Sequence, residues 1–416
     1  MNIAIIGGGA SGMIAAITAA DMGAEVTIFE HMPRMGRKLL LTGSGKCNIS
    51  NTDMDMSHFH GTNVDVVHRI MERCTSKDTL AFLEKLGLYV KERKGYLYPY
   101  SEQASAVVDI LRFAIRDRGI DLHTETDIRR IEKQKHSNDR TLEDKFIVTT
   151  ANGRLSFDRV ILCCGSSANR NTGSDGSGYE IAKSFGHTVI KPLPALTFLT
   201  CEEDFYPSVA GIRTKATISL YERDKNEPRK LLGSEEGELQ LTKTGISGVC
   251  VFNLSHLAVK SLDRQCRVMA QIDLLPDIPA SDIADFMKNR IDNIGDRTLE
   301  ELFIGLLAKP LGILILKRCN LDLKRQCSDL DETAINSICK TVKCFETFIK
   351  GSGDMESSQV AQGGVSLSEV KDTLESRLVS GLFFAGEILD VNGDCGGYNL
   401  QWAASSGMVA GREAAG

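Results

Sequence analysis

The chain has 416 residues, 42% of them hydrophobic and 25% charged, the proportions of a soluble globular protein long enough for two or three domains. Its formal net charge of −6 argues against a global pull toward nucleic acid or anionic membrane. No stretch approaches a membrane span, the apolar N-terminus lacks the basic start of a signal peptide, and none of the 12 cysteines has C-x-x-C or zinc-type spacing. The chain is expected to be cytoplasmic, with reduced thiols and no metal site.

The first element is the apolar strand Asn2-Ile3-Ala4-Ile5-Ile6, which empties into Gly7-Gly8-Gly9-Ala10-Ser11-Gly12 and a helix running to Met22. The spacing is G-x-G-x-x-G. Gly7 allows a tight turn, Gly9 lets backbone approach a pyrophosphate, and Gly12 lets the helix lie close to the strand. The free N–H groups of Ala10 and Ser11 and the positive helix end bind phosphate. A second strand, 24–29, ends at Glu30, where a carboxylate accepts from ribose hydroxyls. An acid there favours an adenosine ribose without a 2′-phosphate, hence FAD or NAD.

After Glu30 and His31 comes a basic loop with Arg37 and Lys38, then Thr42-Gly43-Ser44-Gly45-Lys46-Cys47-Asn48, a glycine-rich loop suited to close over an anionic or planar ligand; the Walker spacing is absent. Residues 65–119 read as three amphipathic helices, interrupted by Tyr96-Leu97-Tyr98-Pro99-Tyr100 as an aromatic loop that either lines a substrate mouth or packs on itself. A strand at 121–124 resumes the sheet, 128–133 and 146–150 form a hairpin around a polar turn at 136–144, and 159–165 is a buried strand ending in Gly165. A helix follows at 179–185. From about Pro192 the pattern changes to spaced strands at 196–199, 216–221, 238–242 and 249–254, which suggests a small antiparallel or barrel-like insert. Helices then follow at 283–291, after a Thr298-Leu299-Glu300-Glu301 capping box, and at 332–339. The α/β pattern returns near Val360, with the strand 382–387 ending in Gly386-Glu387, and Asp394, Gly396 and Gly397 leading into a closing helix rich in alanine and glycine. The C-terminal part thus completes the domain that the N-terminal part begins.

Two half-sites at opposite ends of one chain resemble the glutathione-reductase-type flavoproteins. More specifically, Arg37-Lys38-Leu39-Leu40-Leu41-Thr42-Gly43-Ser44-Gly45-Lys46-Cys47-Asn48, Gly245-Ile246-Ser247-Gly248, Gln362-Gly363-Gly364-Val365 and Ala385-Gly386-Glu387 through Gly396-Gly397-Tyr398-Asn399-Leu400-Gln401-Trp402 together resemble the YhiN-like, BaiN/RdsA-type (aminoacetone oxidase-like) family of FAD-dependent oxidoreductases. The resemblance covers nearly the whole chain. It implies an α/β architecture: a glutathione-reductase-type FAD-binding Rossmann domain (1–191 and 356–416), an inserted β-barrel-like domain (192–275 and 341–355) and a small helical domain (276–340). Many members carry Phe-Thr-His where this chain has Leu241-Thr242-Lys243-Thr244, so no role of that histidine transfers.

On this reading Gly7, Gly9, Ala10, Ser11, Gly12, Glu30 and His31 bind the ADP half of FAD. Arg37 and Lys38 pair with the pyrophosphate or stay solvated, and Thr42, Gly43, Gly45, Lys46, Asn48 and Gly165 border the cofactor. Gly386, Glu387, Asp394, Gly396, Gly397, Tyr398, Asn399 and Leu400 meet the ribityl chain and flavin. Cys47, its thiol pKa lowered by Lys46, is the sharpest proton-donor candidate, against a role as a small residue packed under the flavin; Tyr398 is a second candidate donor. The expected function is hydride transfer from NAD(P)H through flavin to an electron-poor C=C bond of an enone, such as a 3-oxo-bile-acid or steroid intermediate. Only one fingerprint is present, so NAD(P)H must use a non-Rossmann surface. The alternatives are a dihydrouridine synthase acting on ribosomal RNA, an O₂-dependent oxidase of a small aminoketone, and a non-enzymatic flavin-bearing scaffold.

Overall fold

A computed structural model describes residues 1–134, 144–223 and 229–416. The chain divides into two compact units: residues 1–193 with 355–416, and residues 194–354.

The first unit is built on a five-stranded parallel sheet in the order Leu382–Phe384, Arg159–Leu162, Asn2–Ile6, Glu25–Phe29, Asp121–His123. Asn2–Ile6 lies near the middle, and Ile3, Ala4, Ile5 and Ile6 are all buried, because helices cover both faces of a parallel sheet. The first helix, Ala10–Asp21, returns the chain between the first two strands, and the closing helix, Tyr398–Ala415, packs along it. Two glycines set how closely they pack. A Cβ on Gly407 would stand 2.6 Å from the carbonyl oxygen of Ser11, and one on Gly411 2.4 Å from that of Ala15. Helices Val64–Arg73, Ser76–Lys85 and Ala104–Asp117 complete this unit's core.

The aromatic stretch expected to be a loop is a strand. Tyr96–Pro99 is the centre of a three-stranded sheet between Ser50–Asn51 and Val90–Arg93. Its alternation, Leu97 and Pro99 buried with Tyr96 and Tyr98 half-buried, is the period-2 signal that the run of tyrosines masked. The expected hairpin is present as Arg130–Gln134 against Lys145–Thr150, with an additional strand, Gly153–Phe157; most of its turn lies outside the described residues.

In the second unit, six strands close a barrel in the order Leu199–Cys201, Gly245–Ser247, Lys230–Leu241, Arg213–Arg223, Arg267–Asp273, Phe345–Ser352. Residues 249–254, expected as a strand, begin the helix Val249–Asp263. Cys250, Val251, Leu254 and Ala258 are its buried face, a helical spacing obscured by the β-branched start. Helices Ile283–Asn293, Lys309–Arg318 and Glu332–Lys343 share one hydrophobic core with the barrel, so the apolar residues from Ile283 to Leu316 serve largely as interior. Thr298 and Glu301 form their capping box on a single 3₁₀ turn rather than a long helix.

Candidate cofactor site

The three fingerprint glycines have three different surroundings. Gly7 has φ +106°, and a Cβ there would lie 2.5 Å from the Cys163 carbonyl oxygen; at Gly12 it would lie 1.9 Å from that of Gly7. Both positions exclude a side chain because strand, turn and helix press together. Gly9 differs: a Cβ would meet nothing within 4 Å. Its backbone borders open space at the N-terminus of the first helix, where no side chain caps the free N–H groups and no acid stands in the first turn. That arrangement fits a diphosphate, which supplies both the acceptors and the negative charge.

Glu30 is buried at the end of the second strand, its two oxygens accepting from the N–H groups of Gly8 and Met32, each at 2.8 Å. Those bonds fix the carboxylate beside the turn. His31 stands among three acids, 3.9 Å from Glu30 and 3.8 Å from both Asp127 and Asp175. Gly165, φ +71°, backs onto Ser174. These groups gather at the carboxyl ends of the parallel strands, the edge at which open α/β sheets bind ligands.

The far end of the chain reaches the same edge. Ser11 Oγ donates to the Ala385 carbonyl at 3.3 Å, and a Cβ on Gly386 would lie 2.4 Å from that hydroxyl. Trp402 is buried, its indole N–H donating to the Gly386 carbonyl at 3.1 Å, so it belongs to the core. Gly396 and Gly397, φ +144° and +96°, turn the chain into the closing helix, whose N-terminus again has no side-chain cap and no acid in its first turn. Asn51 donates to the Gly396 carbonyl at 2.9 Å, and Leu400 packs half-buried on the core. Two uncapped helix N-termini, one at each end of the site, fit the two ends of a flavin dinucleotide.

Several expected roles are corrected. Cys47 is completely buried at a left-handed φ of +58°, and burial pushes its thiol up to about 11 despite a hydrogen bond with Thr42. A thiol so sealed and so shifted is not an open proton donor, which leaves the other reading, a small packed residue. Lys46 does not lower that pKa, because its ammonium pairs with Glu102 at 3.2 Å. Lys38 is neither solvated nor free for phosphate alone: it donates to Glu387 at 2.8 Å and to the Ala168 carbonyl at 3.2 Å. Glu387 in turn accepts from the Ala361 N–H at 3.0 Å. Arg37 is exposed. The Asn399 side chain is an internal brace, accepting from the Gly393 N–H and donating to its carbonyl, each at 2.8 Å. Tyr398 is 4% exposed and its phenol is pushed up by burial first, so it is not an open proton donor. In the 42–48 loop, Thr42 donates to the Leu39 carbonyl at 2.6 Å, and Gly43 and Gly45 take left-handed turns of +56° and +84°. Asn48 Oδ1 is buried with no hydrogen-bond partner among the described residues, which suits a ligand bringing its own N–H.

Two polar networks were not anticipated. Gln401, fully buried, accepts from Ser50 at 2.7 Å and donates to Thr79 at 2.8 Å and Ser405 at 2.9 Å, tying the closing helix to two other elements. Asp394, expected to meet the cofactor, has its oxygens on two imidazoles instead: His58 Nδ1 at 3.0 Å and His60 Nε2 at 2.8 Å. The other His58 nitrogen lies 3.4 Å from Asp53, and the ring stacks on Tyr398, centroids 4.4 Å apart. The visible signal was the pair His58 and His60 flanking Phe59, His58 closing a 3₁₀ turn and His60 on the short strand that follows; nothing local named their partner.

A family profile described as the HI0933-like protein Rossmann domain matches residues 1–413. The chain is 38% identical over 418 residues to a 3-dehydro-bile acid delta(4,6)-reductase of Clostridium scindens, covering 100% of this chain and 99% of that protein. It is 28% identical over 407 residues to a ribosomal RNA dihydrouridine synthase of Haemophilus influenzae, covering 97% and 95% respectively. Among solved structures, 3-ketosteroid delta1-dehydrogenase from Sterolibacterium denitrificans, in complex with 1,4-androstadiene-3,17-dione, superposes with a TM-score of 0.51 at 12% identity over 99% of both chains, a likeness of fold.

Proposed function

Because the chain belongs to the HI0933-like Rossmann family and is a flavin-dependent oxidoreductase, we propose that it reduces a C=C bond conjugated to a ring ketone in a steroid-like substrate, with NAD(P)H as electron donor. The observation that carries this reading is the 38% identity, over 100% of this chain and 99% of that protein, to the 3-dehydro-bile acid delta(4,6)-reductase. A ketone conjugated to a C=C bond draws electron density from the β carbon and makes it a hydride acceptor. FAD, when bound, takes a hydride from the donor and passes it to such a carbon.

The chain's own residues hold and tune that cofactor. The N–H groups at Gly9, Ala10, Ser11 and Gly12 receive the diphosphate, and Glu30 accepts from the adenosine ribose. Gly386, which has no Cβ to press on Ser11, keeps the two ends of the chain close beside the ribityl path, and the closing-helix N-terminus at Gly396, Gly397 and Tyr398 would present its positive end to the pyrimidine side of the ring, which favours extra electron density there. In this reading residues 1–191 and 356–416 serve the cofactor, 192–275 and 341–355 form a barrel-like insert, and 276–340 form a small helical domain.

The test is anaerobic reduction of the holoenzyme by NADH or NADPH, followed by reoxidation with a 3-oxo-4-ene steroid, ribosomal RNA or O₂. Rapid reoxidation by the steroid supports the reading. Reoxidation by RNA alone replaces it with dihydrouridine synthesis, for which the 28% identity to the Haemophilus influenzae protein speaks. Hydrogen peroxide released from a small aminoketone and O₂ with no NAD(P)H present replaces it with an oxidase.

A further inference from the structure

Reducing a C=C bond adds one hydride and one proton, and the proton needs a donor. The two donors read from the sequence are sealed, Cys47 completely and Tyr398 nearly so. His58 stands against the second of them. The two-residue strand Phe59–His60 pairs antiparallel with Asn392–Gly393, and the Asp394 N–H donates to the His58 carbonyl at 3.0 Å. This short ladder brings His58 and His60 to the same carboxylate, buried just before the closing helix.

The protonation state of His58 follows from its neighbours. A neutral imidazole has one N–H and one lone pair. Here both nitrogens face carboxylates, Asp394 at 3.0 Å and Asp53 at 3.4 Å. A neutral ring would set its lone pair against one of them; the imidazolium donates to both. The other groups facing it are Asp55, close enough to act through charge, His60 across Asp394, and Tyr398 beneath the ring, with Tyr96 behind that. Burial lowers the His58 pKa, but the hydrogen bonds and charges of Asp394 and Asp53 outweigh it, and the net shift is upward. The ring is not sealed: 29% of the side chain is exposed. It lies flat on the first residue of the helix whose N-terminus is assigned to the flavin.

We propose that His58, held as an imidazolium between Asp394 and Asp53, is the proton donor of the reduction, an inference that rests on the function proposed above. As the hydride bonds to the β carbon, the Nε2–H bond on the exposed Asp53 side, the longer of the two pairings, breaks and its proton goes to the α carbon, while Nδ1–H stays on Asp394. The π bond is consumed, two C–H bonds form, and neutral imidazole remains. The ring regains a proton from water on the side of Asp53, whose side chain is 67% exposed. The electron pair comes from the reduced cofactor, recharged by NAD(P)H. His60 is a positioning residue that holds the second oxygen of Asp394.

The experiment compares wild type, His58→Asn and Asp53→Asn. Photoreduced holoenzyme is mixed anaerobically with a 3-oxo-4-ene steroid from about pH 6 to about pH 10, and the histidines of ¹³C-labelled protein are titrated by NMR without substrate. Wild-type reoxidation should fall at high pH with an ionisation that matches the His58 signal. Asp53→Asn should move both to lower pH. His58→Asn should slow reoxidation at least about 100-fold, leave flavin reduction by NAD(P)H unchanged, and recover in part with added imidazole. The inference is overturned if wild type reacts while His58→Asn matches its rate and profile, or if the His58 signal is that of a neutral ring at pH 6. Failure of wild type to react with the enone would instead overturn the function on which the inference stands, and the inference with it.

Discussion

Adding one methyl group at Gly9 or at Gly12 separates the binding role of the turn from its packing role. At Gly12 the new Cβ would lie 1.9 Å from the Gly7 carbonyl oxygen, where real contacts stay beyond 3.0 Å, so helix and strand backbones must part by about 1 Å. Neither side is a flexible side chain. The cost falls at the upper end of the overpacking range, about 3 kcal/mol, and in a unit of this size it lowers the apoprotein Tm by roughly 6–12 °C. Gly9 has φ −75° and ψ −171°, extended backbone open to alanine, and its Cβ would touch nothing within 4 Å. Gly9→Ala should therefore leave apoprotein stability within about 0.5 kcal/mol while placing a methyl group where the diphosphate approaches. FAD affinity should fall at least about tenfold, about 1.4 kcal/mol. Thermal melts of flavin-free protein and FAD titration by fluorescence quenching read the two effects separately. If Gly9→Ala binds FAD as wild type does, the diphosphate does not lie on that backbone; if Gly12→Ala melts unchanged, the packing argument fails.

Cys47→Ala should keep steroid reduction within about twofold and cost about 1 kcal/mol of stability, and folded wild type should resist thiol labelling at Cys47 at pH 8, as a buried thiol shifted up to about 11 requires; a large loss of turnover at unchanged stability would restore its catalytic role. Gly407→Ala must separate the first and closing helices, because its Cβ would lie 2.6 Å from the Ser11 carbonyl oxygen, and should cost about 1–3 kcal/mol in a urea melt. Asp158 accepts from the Asn2 N–H at 2.7 Å and pairs with Lys145; burial works to raise its pKa, yet these partners hold it below the ordinary value. Its stabilisation is therefore complete above about pH 4 and lost as pH falls through the depressed value, so Asp158→Asn should flatten the acid limb of a stability–pH curve. An unchanged acid limb would mean that the pairing contributes nothing.

What could be read from the chain alone was governed by distance along it. The fingerprint was legible because Gly7, Gly9 and Gly12 act on each other and on adjacent elements, and their differing surroundings follow from that spacing. Period-3.6 stretches such as Ala104–Asp117 were legible for the same reason. Tyr96–Pro99 and Val249–Asp263 were misread because residue type, aromatic in one and β-branched in the other, outweighed periodicity. The chemistry at Asp394 was hidden for a different reason. Its partners lie 336 and 334 residues away, and an aspartate before a glycine pair looks the same whether it faces a cofactor or two imidazoles. Cys47 misled through its neighbour: adjacency to Lys46 says nothing of where either side chain points, and the two point apart, one into the core and one to Glu102.

The joining of Ser11 to Ala385, 374 residues apart, bears on how the protein is made. A ribosome delivers the strands Asn2–Ile6 and Arg159–Leu162 long before Leu382–Phe384, the edge strand that covers the latter. Residues 194–354 are continuous and can fold as they emerge, while the earlier unit waits with one sheet edge and the packing face of its first helix uncovered. At about 5–20 residues per second the wait lasts on the order of ten seconds or more. For that interval an apolar strand edge is open to pairing with another nascent chain. Chains stalled before Leu382 should consequently be protease-sensitive in the first unit yet resistant in the second, and FAD should become protective only once the closing helix has been released.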